Sequence, residues 1–235
     1  MTADADKTEE GADRDSGSIP VLRDALAVGL TTGAYGLSFG AVATTAGLSV
    51  LQACVLSLAM FTGASQFALV GVVGAGGSAV AGAATAVLVS SRNAFYGLRL
   101  SALLGLSRWR RPLAAQIVID ESTAMAIGRD DPGSGRLAFW ATGASVFIFW
   151  NLATLAGAVG ARSLSDPRAL GLDAAAPAAF VALIAPSLKG RRAWASAVLA
   201  AAVALALVPS TPAGVPVLAA AAVAVAVGVA PRLRR

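Results

Sequence analysis

Beyond residue 18 the chain is a succession of long apolar runs joined by short polar or charged links. The runs are continuous rather than alternating and rich in Ala, which predicts helices and argues against barrel strands. Eight runs approach the length of about 20 residues that a helix needs to cross a hydrocarbon core. They cover about 25–46, 51–75, 78–106, 113–128, 136–160, 174–188, 193–209 and 214–230. Two of them are abnormal. The third is too long for one plain span and is interrupted by Ser90, Ser91, Arg92 and Asn93, and the fourth is short and carries Asp120 and Glu121. The pattern predicts an all-α polytopic membrane protein with seven or eight transmembrane segments, some of them broken or re-entrant. Residues 1–18 are acidic and rich in small residues, so they are expected to form a disordered tail ahead of a single transmembrane domain over 19–235. They lack the apolar stretch of a signal peptide.

Charge adds an orientation. Lys189, Arg191 and Arg192 follow the sixth run, Arg232, Arg234 and Arg235 close the chain, and PSTPAGVP between the last two runs is uncharged. By the excess of Lys and Arg in cytoplasmic loops, the C-terminus and the 189–192 loop are inside and the 209–216 turn is outside. Counting back puts Arg129, Arg136 and the N-terminus inside. Arg108, Arg110 and Arg111 disagree if the third and fourth runs both span, which favours a re-entrant or broken segment there.

Polar groups interrupt the apolar runs at four places. In the first run Gly29, Gly33, Gly36 and Gly40 share one helix face. That stripe suits close helix packing, and equally a flexible helix beside a substrate path. The second run holds Thr62, Gly63, Ser65 and Gln66. Gln66 either ties helices together or offers a donor and an acceptor to a central cavity. In the third, Arg92, Tyr96 and Arg99 fall on one face, either at an ordinary interfacial helix end or at a broken helix facing a pathway. In the fourth, Gln116, Asp120 and Thr123 fall on one face of a continuous helix, with Glu121 about 100° away. Adjacent carboxylates suit a proton relay or a partner for a substrate ammonium, or else a solvated interfacial helix. Asp120 with Arg92 or Arg99 is a candidate internal ion pair.

Composition narrows the function. The chain has 57% hydrophobic and 13% charged residues, one cysteine and no histidine, with a mean hydropathy of +0.73. A Cys/His metal site or an internal disulfide cannot be built, and no cofactor is expected. Without a nucleotide-binding glycine–lysine motif the chain does not hydrolyse ATP itself, and no catalytic constellation marks an enzyme. The net charge of +5 fits anchoring at a membrane surface rather than binding to nucleic acid.

GLTTGAYGLSFGAVATTAGLS at 29–49, MFTGASQFALVGVV at 60–73, SSRNAFYGLRLS at 90–101, IDESTAMA at 119–126 and LDAAAPAAFVALIAPSLKGR at 172–191 together resemble the AzlC family, the large subunit of branched-chain amino acid permeases and exporters. The likeness rests most on Phe39–Gly40, on Gly63 to Gln66 and on Arg92 with Tyr96. Ser90 and Asn93 depart from the Asn and His that the family often has around the arginine. The resemblance implies a secondary transporter that exports or exchanges valine, leucine and isoleucine, with methionine as a further candidate. It implies the inner membrane of a prokaryote and a small membrane partner of the AzlD type. Gly36, Phe39, Gly40, Gly63, Ser65, Gln66, Arg92, Asn93 and Tyr96 are the expected substrate or pathway residues. Asp120 and Glu121 are the expected proton-coupling or ammonium-binding groups. A channel or a structural subunit without a transport cycle is the alternative.

Overall fold

The computed structural model describes residues 3–163, 178, 181, 184–185 and 188–229, with side chains between Ser18 and Gly228. The run expected at 174–188 and the arginines that close the chain lie outside the described residues, apart from the isolated positions within that run. Among the described residues the protein is helical, without strands. The helices there are α1 Ala3–Gly33, α2 Tyr35–Thr45, α3 Val50–Ala59, α4 Ala64–Gly74, α5 Ala79–Ser90, α6 Arg92–Leu104, α7 Arg111–Gln116, α8 Asp120–Ile127, α9 Pro132–Arg162, α10 Arg191–Leu207 and α11 Val215–Val229. Among the described residues two helical stretches are long and apolar enough to cross a membrane: Ser18–Thr45, which joins α1 to α2, and Pro132–Arg162. The α1 backbone is helical from Ala3 onward.

The first run lies along α9, and the glycine stripe is the reason it can. A Cβ added at Gly29, Gly33, Gly36 or Gly40 would run into Ser145, Phe149, Trp150 or Thr154 in turn, and one at Gly157 would run into Leu37. The matched order of these contacts shows that α1–α2 and α9 are parallel. Glycine on both faces lets the backbones approach more closely than side chains allow. The stripe is therefore a packing surface, and Ala34 between α1 and α2 keeps helical dihedrals.

The next two segments differ from the single helices that their runs suggest. Ser49 opens α3 with a reciprocal cap: its hydroxyl accepts from the Gln52 N–H at 3.1 Å and its own N–H donates to the Gln52 side chain at 2.7 Å. The helix runs back against α9, with Ser57 Oγ 3.4 Å from Thr154 Oγ1 and Phe61 stacked edge-on to Phe147. α4 then reverses. Phe67 packs on Phe39, and Gly74 comes up against Ala46, just past the end of α2. The pair α3–α4 enters and leaves at the same end of the molecule.

The α7–α8 pair does the same from the other end. Ile117 fills the space over Gly143, and Ala126 returns to Gly135 near the start of α9. Gln116, Asp120 and Thr123 therefore do not share one helix face, because the helix stops at Gln116 and restarts at Asp120. Between the two pairs, α5 and α6 meet at Ser91, the interruption expected in the third run. Together they run the length of the molecule antiparallel to α9, ending where Arg136 donates to the Leu103 carbonyl at 2.9 Å. α10 and α11 form an antiparallel pair at the side of α5. Its 208–214 turn lies near Gly77 and Ala81, at the end where α2 finishes.

Two apolar clusters fill the centre. One joins Phe39, Phe61, Phe67, Ile119, Val146 and Trp150. The other joins Leu100, Leu104, Ile117, Val118 and Phe139.

Candidate functional site

The tips of the two helical pairs meet at mid-height. The α3–α4 tip depends on Gly63, whose φ of +57° disfavours any residue with a Cβ. The nearest atom to such a Cβ would be 3.6 Å away on Trp150, so conformation and not crowding calls for glycine. The Gly63 carbonyl then accepts from the Gln66 and Phe67 N–H groups and starts α4. At the α7–α8 tip the Ser122 hydroxyl donates to the Ile117 carbonyl at 2.6 Å and accepts from the Ile119 N–H at 3.2 Å. That hydroxyl holds the non-helical residues Ile117 to Ile119 in place. Gln116 Nε2 donates to the Leu58 carbonyl at 2.7 Å and ties one tip to the other.

Between the tips lies a cavity of about 70 Å³. Its lining is apolar at Phe61, Phe67, Ile119, Val146 and Trp150 and polar or charged at Arg92, Asn93, Asp120 and Glu121, and Thr32, Tyr35, Thr62, Gly63 and Ala64 complete it. Arg92 Nη2 lies 2.7 Å from Asp120 Oδ2, and Tyr96 donates its hydroxyl to Asp120 Oδ1 at 2.7 Å. Both charged side chains are about two-fifths exposed, so the pair is reachable from the cavity. Arg99 is exposed, and the ion pair is with Arg92.

Two helices, α4 and α8, begin at this cavity, and their N-terminal N–H groups and positive dipole ends favour negative charge there. α6 instead continues from α5 through Ser91, which keeps helical dihedrals. Three cavity side chains carry buried polar atoms without a protein partner: Thr62 Oγ1, Arg92 Nε and Trp150 Nε1.

Of the residues expected from sequence, Gly63, Arg92, Asn93, Asp120 and Glu121 line the cavity, and Tyr96 reaches it through Asp120. Gly36 and Gly40 face the α9 backbone instead. Phe39, Ser65 and Gln66 are fully buried outside the lining, and both amide atoms of Gln66 lack a protein partner. Phe61, Ile119 and Val146 were missed. Each is one apolar residue in an apolar run, and only the chain reversal beside Phe61 and Ile119 brings them to the site.

Residues 27–164 match the AzlC protein family. The chain belongs to the AzlC family. Every residue that lines the cavity falls within that match. AzlC proteins are membrane proteins associated with transport of branched-chain amino acids, not with catalysis, and they typically act with small membrane subunits. No curated protein and no solved structure matches the chain.

Proposed function

We propose that this AzlC protein is a secondary transporter that exports valine, leucine, isoleucine and methionine across the cytoplasmic membrane of a prokaryote. It works with a small AzlD-type subunit. The observation that carries the proposal is the composition of the cavity, whose lining combines apolar side chains with both signs of charge. A branched-chain amino acid has the same three parts: an aliphatic side chain, an ammonium and a carboxylate.

The same geometry supports an arrangement in the bilayer. α1–α2, α5–α6, α9, α10 and α11 traverse, while α3–α4 and α7–α8 re-enter from opposite faces. Each re-entrant helix has 6 to 11 residues, about 9–17 Å at 1.5 Å per residue and so far too short to cross a hydrocarbon core of about 30 Å. This insertion gathers Arg108, Arg110, Arg111, Arg129, Arg136, Arg191 and Arg192 on one side, the cytoplasmic one by the excess of basic residues. The disagreement at 108–111 then disappears, because the fourth run returns to the face it entered. Irregular backbone at the tips is tolerated because protein and the cavity cover it.

Counterflow of labelled leucine in proteoliposomes, with and without the co-expressed small subunit, tests the proposal. Saturable counterflow that unlabelled valine competes for is the expected result. Non-saturating flux without counterflow would instead mean a channel.

A further inference from the structure

We propose that the Arg92–Asp120 ion pair is itself the docking site for the two charged ends of the substrate, and that substrate binding splits it. The substrate ammonium takes the place of the guanidinium on Asp120, and the substrate carboxylate takes the place of Asp120 on Arg92. The proposal deepens the transport function above and rests on it.

Four observations support it. First, the 2.7 Å Arg92–Asp120 pair lies in the lining of the cavity together with Phe61, Ile119, Val146 and Trp150, so a ligand seated there meets both charges and the apolar side chains at once.

Second, Arg92 makes this contact through Nη2, while its Nε is buried with no partner. A free carboxylate can engage Nε and Nη2 together as a fork, a better geometry than the single contact now made. Third, Asp120 does not depend on Arg92 for its position. Tyr96 donates to Oδ1 at 2.7 Å. The carboxylate is therefore still held when the guanidinium leaves.

Fourth, the exchange leaves neither charge unpaired, because one ion pair is replaced by two. A ligand with only one charge would strand its opposite number in a partly covered site, which is strongly unfavourable. The pair thus selects for zwitterions, while the apolar lining at Phe61, Ile119, Val146 and Trp150 reads the side chain.

Competition against labelled leucine binding tests this, using the full chain in detergent or proteoliposomes. The competitors are unlabelled leucine, 4-methylpentanoate, which lacks the ammonium, and 3-methylbutylamine, which lacks the carboxylate. In the wild type each analogue is expected to compete at least about thirtyfold more weakly than leucine. In Asp120→Asn the gap between leucine and 4-methylpentanoate closes, and in Arg92→Gln the gap between leucine and 3-methylbutylamine closes. Either analogue equalling leucine in the wild type overturns the proposal, and this arm decides even where a variant does not fold. Variants that weaken leucine and both analogues alike overturn it too, since a merely structural ion pair would behave that way. Wild-type protein that binds no leucine removes the transport function as well. Leucine binding with unchanged gaps removes this inference alone.

Discussion

Gly40→Ala tests whether the glycine stripe is a packing surface. A Cβ at Gly40 would stand 2.7 Å from the Ala158 nitrogen and closer still to the Thr154 carbonyl oxygen. Both are backbone atoms of α9, so no rotamer change relieves the clash. Ordinary contact begins near 3.4 Å, so α2 and α9 must part by most of an ångström at Ala158 and by more at Thr154. Overpacking against atoms that can move costs about 1–3 kcal/mol, and rigid backbone on both sides puts this case at the upper end or above. Gly97→Ala is the control. Gly97 lies within α6 with nothing inside 4 Å of the place an alanine methyl would take, so alanine there gains about 0.5–1 kcal/mol of helix propensity. Thermal unfolding of the purified protein in detergent, followed by size-exclusion chromatography, should show Gly40→Ala melting well below the wild type and Gly97→Ala at or above it. Gly40→Ala melting with the wild type would refute the close approach of α2 to α9.

Gly63→Ala should lower stability by about 1–3 kcal/mol from its backbone conformation alone, despite the open space beside it, and thermal unfolding would show this. Gln66→Leu should leave the melting temperature unchanged or raise it, because a buried amide without a partner is exchanged for an apolar group of similar size. A large loss of stability would mean that Gln66 ties helices together. Arg129 Nη2 lies 3.1 Å from Asp24 Oδ2, and a double-mutant cycle on the two should return a coupling of about 0.2–1 kcal/mol that falls with salt. Asp131 caps α9 by accepting from the Ser134 N–H at 2.9 Å, and hydrogen bonds from Ser134 hold its pKa below the usual value. Because the folded pKa is the lower one, this contribution is complete above the unfolded pKa and is lost as pH falls through the folded one. Asp131→Asn keeps the cap and should flatten that part of a melting-temperature profile taken from pH 7 to pH 3.

The helical class and the glycine stripe are legible in the sequence because they depend on local features, composition and spacing along one helix. The polar breaks at MFTGASQ, SSRNAFYG and IDESTA are legible for the same reason, and all three reach the cavity. What spacing cannot carry is direction. A run interrupted by polar residues has the same composition whether the chain continues or turns back. At 116–123 the arithmetic of a continuous helix put Gln116, Asp120 and Thr123 on one face. The break at Ile117–Ile119 instead sends Gln116 to the Leu58 carbonyl and Asp120 to Arg92. The sequence signals for a broken or re-entrant segment were the misplaced charge of Arg108, Arg110 and Arg111 and the abnormal length and polar content of the third and fourth runs.

That reversal bears directly on how a transport cycle can run. If the α3–α4 and α7–α8 pairs re-enter from opposite faces, each tip covers the cavity on one side. On the transport function proposed above, withdrawing one tip would open the cavity to one face while the other tip stays closed. The Gln116–Leu58 hydrogen bond joins the tips directly, so neither can withdraw without breaking it. Its net worth is about 0.5–1.5 kcal/mol, small enough for substrate binding to overcome and large enough to favour the closed state when the site is empty. Gln116→Leu should therefore loosen the empty protein. A cysteine at Phe61 should react faster with a soluble thiol reagent in the Gln116→Leu background, in protein whose native Cys54 has been replaced by serine. Adding leucine should narrow the difference between the two backgrounds. Equal reaction rates with and without the Gln116 side chain would show that the tips are not coupled through it.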